Sequence, residues 1–360
     1  MKRVFVSDCE GPISKNDNAF ELTSNFVPDG DKLFTVVSRY DDVLAEVVRK
    51  PGYEAGGTLK LILPFLKAYG VTDQKMREFS AGHLVCIAGV KDTLQHVRGL
   101  APAFIVSASY EHYLMALCEV LDFPFENAYC TRVCMDKYGI GEKEKEELKQ
   151  IAKEIAKMPV FDIPSDAESL DDLPKKDQET VRRLDEIFWK RIAEMEIGTV
   201  YCEVNPMGGG EKAEAIKEIA KSLDVGLADV MYVGDSITDD EAFRLVERKG
   251  GLTVSFNGNQ YAVRNAEVAV LSENSIVTAV IADVFLRFGK LQALQLVKDW
   301  NRKTLEKSGV SQILIKRLFK VYPRRLPKAA IVAEENVETL AEESSRFRNR
   351  VRGEAVGRLG

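Results

Sequence analysis

The 360-residue sequence contains no apolar run long enough to span a bilayer, no basic excess, no paired cysteine spacing and no internal repeat or low-complexity tract. Each absence removes a class of function. Without some twenty consecutive apolar residues a membrane-spanning helix is excluded. A formal net charge of −6 lacks the basic surface through which nucleic-acid binders attract phosphates, so no nucleic-acid partner is expected. The six cysteines lie at positions 9, 86, 118, 130, 134 and 202, and the one short spacing, Cys130 to Cys134, does not fit a zinc pattern. Reduced thiols of a cytoplasmic protein are expected, and a chain that opens directly on a core-like strand is not expected to be secreted. The triple glycine Gly208-Gly209-Gly210 satisfies neither Gly-x-x-x-x-Gly-Lys-Ser/Thr nor Gly-x-Gly-x-x-Gly, which removes the common nucleotide loops.

What is present is a soluble, globular composition, 45% hydrophobic, in a chain long enough for two domains or for one domain with a large insertion. The first dozen residues organise the rest. Val4-Phe5-Val6 is an apolar, β-branched and aromatic run cut off by Asp8, Glu10 and then Gly11-Pro12. That pattern predicts a buried strand delivering two carboxylates to a turn at its carboxyl end, where open α/β sheets bind ligands. By itself it is equally a solvated acidic turn. Three later stretches shift the balance: Phe104-Ile105-Val106 ending in Ser107-Ala108-Ser109, Lys212 opening a helix after the triple glycine, and Val230-Met231-Tyr232-Val233-Gly234 ending in Asp235-Ser236-Ile237-Thr238-Asp239-Asp240.

Read in order, the chain predicts an α/β protein: a Rossmann-like parallel sheet flanked by helices, with inserted helical segments. Residues 1–14 carry the first strand and 15–88 a helical cap, too large for a simple βαβ connection. Residues 89–128 return to the core, 129–198 form a second, mainly helical insertion, 199–290 resume the core, and 291–360 form a helical, charged C-terminal extension. Within this scheme residues 199–204 are expected as a strand, residues 166–172 as an acidic, solvated linker, and Ser109 or Tyr110 as a helix N-cap. Gly234 is expected to allow a sharp turn and the triple glycine to make a flexible approach to Lys212. Arg39, Arg49 and His83 are cap residues able to meet a substrate carboxylate, but ordinary surface roles are the simpler expectation for each. The stretch 316–322 could lie on a membrane surface or a partner, but an ordinary surface helix is the simpler expectation.

The order acid pair, hydroxyl, lysine, acid pair resembles the haloacid dehalogenase superfamily, whose four motifs occur in that sequence. The motif text is closest to relatives similar to phosphoserine phosphatases and phosphoserine/homoserine phosphotransferases. The resemblance implies Asp8 as nucleophile, Glu10 as general acid and base, Ser107 and Lys212 as phosphate-binding residues, and Mg²⁺ held by Asp8, the Glu10 backbone carbonyl, Asp235 and Asp239. It implies a Mg²⁺-dependent phosphomonoester hydrolase that forms an aspartyl-phosphate on a small phosphate ester. The usual second acid of the superfamily is aspartate followed two residues later by a hydroxyl; here glutamate and Pro12 stand in those places. A phosphotransferase would use the same residues, and a non-catalytic subunit could retain the fold.

Overall fold

The computed structural model describes residues 2–161, 163–164 and 167–357. Seven strands form one sheet in the order β3-β2-β1-β4-β5-β6-β7. They are β1 Val4–Ser7, β2 Ala103–Tyr110, β3 Ala128–Thr131, β4 Val230–Gly234, β5 Leu252–Phe256, β6 Val268–Leu271 and β7 Lys328–Ile331. All neighbours run parallel except β7, which lies antiparallel on β6. The α/β expectation is thus correct. Alternation along β1 explains the two covering layers: Phe5 faces a core shared with the helix Ile276–Phe288, while Val4 and Val6 face one shared with the helices Gly209–Ser222 and Asp240–Arg248. A parallel sheet covered on both faces needs apolar strands throughout, and β1, β4, β5 and β6 are wholly buried.

The segment between β1 and β2 is helical, and so is most of that between β3 and β4. Though far apart in sequence, the helices Gly30–Asp42, Leu63–Ala68, Glu142–Ile155 and Lys175–Glu186 share one apolar core, including Val37, Phe65, Leu148, Ile151 and Phe188. These helices form a layer of their own beside the carboxyl ends of the strands, since Phe34 and Thr58 of the layer line one cavity with Asp8 and Asp235.

Several local expectations need correction. Residues 199–204 form no strand; they are helical, Glu196–Thr199 followed by Val200–Glu203. Val200 is buried in the helical layer and Tyr201 packs on Phe188 and Trp189, so tertiary packing overrides the β-branched text. The sheet also runs past the expected boundary at 128, because β3 continues to Thr131. Residues 291–360 are not purely helical: β7 closes the sheet edge, and the helix Val337–Arg352 packs back onto the core through Leu340 and Ala341. The helix Gln312–Val321 buries Leu314, Ile315 and Leu318, which fits an ordinary surface helix. Of the expected acidic linker, Asp166 lies outside the described residues, and Leu170–Asp172 makes a single capped turn. Among the described residues no helix is long and apolar enough to cross a membrane.

Phe285 is fully buried between the sheet and its covering helices. Phe285→Ala is expected to cost about 3–5 kcal/mol in urea unfolding, and a loss below about 1 kcal/mol would contradict its place in the core.

Candidate active site

The strand register brings the separate sequence signals to one level. Ser7 pairs with both Ile105 of β2 and Val233 of β4, so Asp8, Ser107 and Asp235 all project at the carboxyl ends of adjacent strands. The Asp8 backbone N–H donates to the Val233 carbonyl at 2.7 Å, carrying the ladder up to the last residue before the turn. Gly11 makes that turn at φ +102°, and a side chain there would strike Asp235, since a Cβ would lie 2.0 Å from Oδ2. The carboxylates of Asp8, Asp235 and Asp239 are buried, with one oxygen of each within 4.8 Å of the others.

Lys212 ties this cluster together. It sits in the first turn of the helix Gly209–Ser222, wholly buried, and its Nζ donates to Asp8 Oδ2 at 2.8 Å, to Asp239 Oδ1 at 2.7 Å and to Thr238 Oγ1 at 3.1 Å. The triple glycine is required for close approach, which replaces the expectation of a flexible connection. A Cβ on Gly208 would lie 2.2 Å from the Ala55 carbonyl, and the Gly210 N–H donates to Glu54 Oε2 at 2.7 Å. Gly234 likewise makes no left-handed turn; its Cβ would lie 2.5 Å from Asp239 Cγ, so glycine leaves room for that carboxylate.

Asp239 is saturated. Oδ1 accepts from Lys212 and from the Tyr232 hydroxyl at 2.6 Å, and Oδ2 accepts the N–H groups of Asp235 at 2.8 Å and Ser236 at 3.0 Å. A carboxylate has about four lone-pair sites, so Asp239 acts here as an orienting group. Asp8 Oδ1 accepts the Cys9 N–H at 2.6 Å. Glu10 Oε1 accepts the Asn18 N–H at 2.7 Å, at the start of the helix Asn18–Phe26. The Ser107 hydroxyl lies 3.2 Å from that of Ser109, while Tyr110 is the N-cap of the following helix, without a side-chain capping bond. Asp8, Glu10, Ser107 and Asp235 line one cavity of about 100 Å³, closed on the far side by Phe34, Ser38, Asp42 and Thr58 of the helical layer.

Burial governs the electrostatics. It pushes Asp8 up to about 7 against the pull of Lys212, with Asp239 and Asp235 adding to the rise. Glu10 is raised well above the usual carboxylate range by burial and then by Asp17, so it holds a proton more readily than an exposed glutamate. Burial alone would strip the proton from Lys212, but Asp239 and Asp8 outweigh it and keep the ammonium charged. Asp239 is held below its ordinary value because Lys212 overcomes its burial.

The donor chemistry suits a hard divalent cation: buried carboxylate oxygens from Asp8 and Asp235, with Asp239 bracing them from behind. Two further groups enter the same cluster unannounced by its motifs. Arg348 and Arg352, from the helix Val337–Arg352, both donate through Nη1 to Asp235 Oδ2, Arg352 at 3.1 Å, and are almost entirely buried. Their spacing of four residues puts them on one helix face, a signal visible in the sequence but hidden in a stretch read only as a charged helical extension. The other cap candidates do not line the cavity, although Arg39 pairs with Asp42 of its wall. Arg39 lies 3.4 Å from Asp42, Arg49 donates to the Glu46 carbonyl on the surface, and the His83 ring stacks on Phe79. Asp240 pairs with Arg244 and stands outside the carboxylate cluster.

The family profile of haloacid dehalogenase-like hydrolases matches residues 105–283. A solved gene product of Archaeoglobus fulgidus is similar over the whole length, with 27% identity, a TM-score of 0.78, and coverage of 100% of this chain and 99% of its own. A phosphoserine phosphatase solved as a phospho-aspartyl intermediate analogue is more distant, at 13% identity and TM-score 0.41, covering 76% of this chain and 95% of its own. A substrate-bound phosphoserine phosphatase complex stands at 14% and 0.41, with coverage of 76% and 95%. Likenesses this remote carry no argument about substrate. No curated protein matches.

Removing the ammonium would leave two buried carboxylates without their shared cation. Lys212→Ala is therefore expected to destabilise the fold by about 3–5 kcal/mol in urea unfolding, and a loss below about 1 kcal/mol would show that the pair is not buried and coupled as described.

Proposed function

This chain belongs to the haloacid dehalogenase superfamily, and we propose that it is a Mg²⁺-dependent phosphomonoester hydrolase that works through an aspartyl-phosphate formed on Asp8. The observation that carries this reading is the convergence of Asp8, Glu10, Ser107 and Asp235 on one cavity, with Lys212 Nζ 2.8 Å from Asp8. Phosphoryl transfer asks little of a protein beyond a positioned nucleophile and neutralised phosphoryl oxygens. Asp8 supplies the first; fixed between the Cys9 N–H and Lys212, it has little rotational freedom to lose on attack. Lys212 and the Ser107 hydroxyl supply donors for the phosphoryl oxygens.

Asp8, the Glu10 carbonyl and Asp235 would hold Mg²⁺, with Asp239 in support, and the ion supplies charge that offsets repulsion between the carboxylate and the phosphate ester. Glu10 would give its proton to the leaving oxygen and later take one from the water that hydrolyses the Asp8 ester. Splitting the displacement into these two steps replaces one difficult reaction with two easier ones. The helices of 15–88 and 129–198 act together as a cap in this reading. The cavity, at about 100 Å³, is small, which suits a small phosphorylated metabolite, and a larger one requires the cap to lift. Free cysteines at all six positions agree with a reducing, cytoplasmic setting.

The test is phosphate release from a panel of small phosphomonoesters, with and without Mg²⁺. Asp8→Asn is expected to abolish turnover while the protein stays folded, and activity retained in that variant would remove the nucleophile. Glu10→Gln is expected to slow turnover about a hundredfold or more; an unchanged rate would exclude it as the acid and base.

A further inference from the structure

The C-terminal helix Val337–Arg352 places two guanidinium groups on the carboxylate that the proposed cation would need. Arg348 and Arg352 are 3% and 4% exposed, and Asp235 is 2% exposed. Both arginines donate to the same oxygen, Asp235 Oδ2, which fills that oxygen's two lone pairs. Arg348 also donates to the Asp235 carbonyl at 3.1 Å and through Nε to the Gly357 carbonyl at 3.1 Å. Arg352 anchors itself on the turn after β1, donating through Nε to the Lys15 carbonyl at 3.1 Å and through Nη2 to the Asn16 carbonyl. Together they bring two positive charges to Asp235, the charge of one divalent cation. The Gly11 turn lies so close to this carboxylate that a Cβ there would sit 2.0 Å from Oδ2, which leaves Asp235 no room to move to that side.

We propose that this helix is an intrachain counter-cation that competes with a divalent cation for Asp235, so that docking of the tail and loading of the ion oppose each other. The inference rests on the cation site of the proposed function. Oδ2, bonded to two arginines, has no lone pair left for a metal, and loading a divalent charge through the remaining Oδ1 beside two fixed cations in a buried site is strongly unfavourable. Cation binding therefore draws at least one arginine away. The apolar seat of the helix is limited: Leu340 and Ala341 lie in a minor cluster with Val263 and Ala269, and only Val351 and the half-buried Phe347 reach the main core. By reciprocity, the factor by which the docked tail weakens the ion is the factor by which the ion loosens the tail.

Isothermal titration of MgCl₂ into the full-length protein, against NaCl of matched ionic strength, reads the competition directly. Arg352→Ala and Arg348→Ala are each expected to bind Mg²⁺ about tenfold more tightly or better than wild type, and equal or weaker binding would overturn the proposal. Amide hydrogen exchange over residues 337–357 of the unmodified protein gives a second measurement that needs no variant. It is expected to accelerate as MgCl₂ saturates the site, and exchange that stays unchanged at saturation would also overturn the proposal. Titrations without heat for wild type and variants alike would instead remove the cation site and, with it, the competition.

Discussion

A single buried ammonium sets the terms of this structure. Lys212 has no exposure at all, and in that environment a charge persists only if it is paired and fully hydrogen-bonded. Asp8, Asp239 and Thr238 meet that requirement, and they come from two separate parts of the chain, the end of β1 and the turn after β4. The lysine therefore joins β1 to the turn after β4 and to the helix that carries it. Asp239 in turn spends its remaining capacity on the Tyr232 hydroxyl and on the backbone that presents Asp235. Positioning of the acids and stability of the strand ends are thus one set of bonds, and catalytic geometry comes with the fold instead of being added to it.

Around that centre, acids outnumber bases. Asp8, Glu10, Asp17, Asp235, Lys212, Arg348 and Arg352 all interact within the same buried region. Three cations drawn from distant segments keep the carboxylates from repelling one another, and two of the three come from the last turns of the chain. The C-terminal segment is consequently part of the site and of the sheet, with β7 sealing an edge and the final helix crossing back to the strand ends. Similarity to the archaeal gene product spans this segment too.

Much of this was legible in the sequence, and for identifiable reasons. Asp8, Glu10, Ser107, Lys212, Asp235 and Asp239 each follow a strand or open a helix, so the local text fixes their place at the strand ends. Parallel register then brings them together without further information. Three things were hidden. Residues 199–204 read as a strand because β-branched text does not reveal that Tyr201 will pack on Phe188 and Trp189. Gly234 was read as a sharp turn and the glycines at 208, 209 and 210 as a flexible approach, whereas most of their use is to let Asp239, Ala55 and Glu54 approach closely, a property of partners distant in sequence or visible only after folding. Arg348 and Arg352 were hidden because a basic helix face is usually solvated, and nothing local says that an acid more than a hundred residues away will meet it.

The decisive step of the proposed reaction is transfer of a phosphoryl group to Asp8. Rapid acid quench during turnover of an accepted ester, followed by mass analysis of the proteolytic peptides, observes that step without reference to substrate identity. A phosphoryl group on the peptide containing Asp8, present during turnover and absent after exhaustion of the ester, is the expected result. Turnover with no phosphorylated peptide, or with the label on another residue, would contradict nucleophilic catalysis by Asp8.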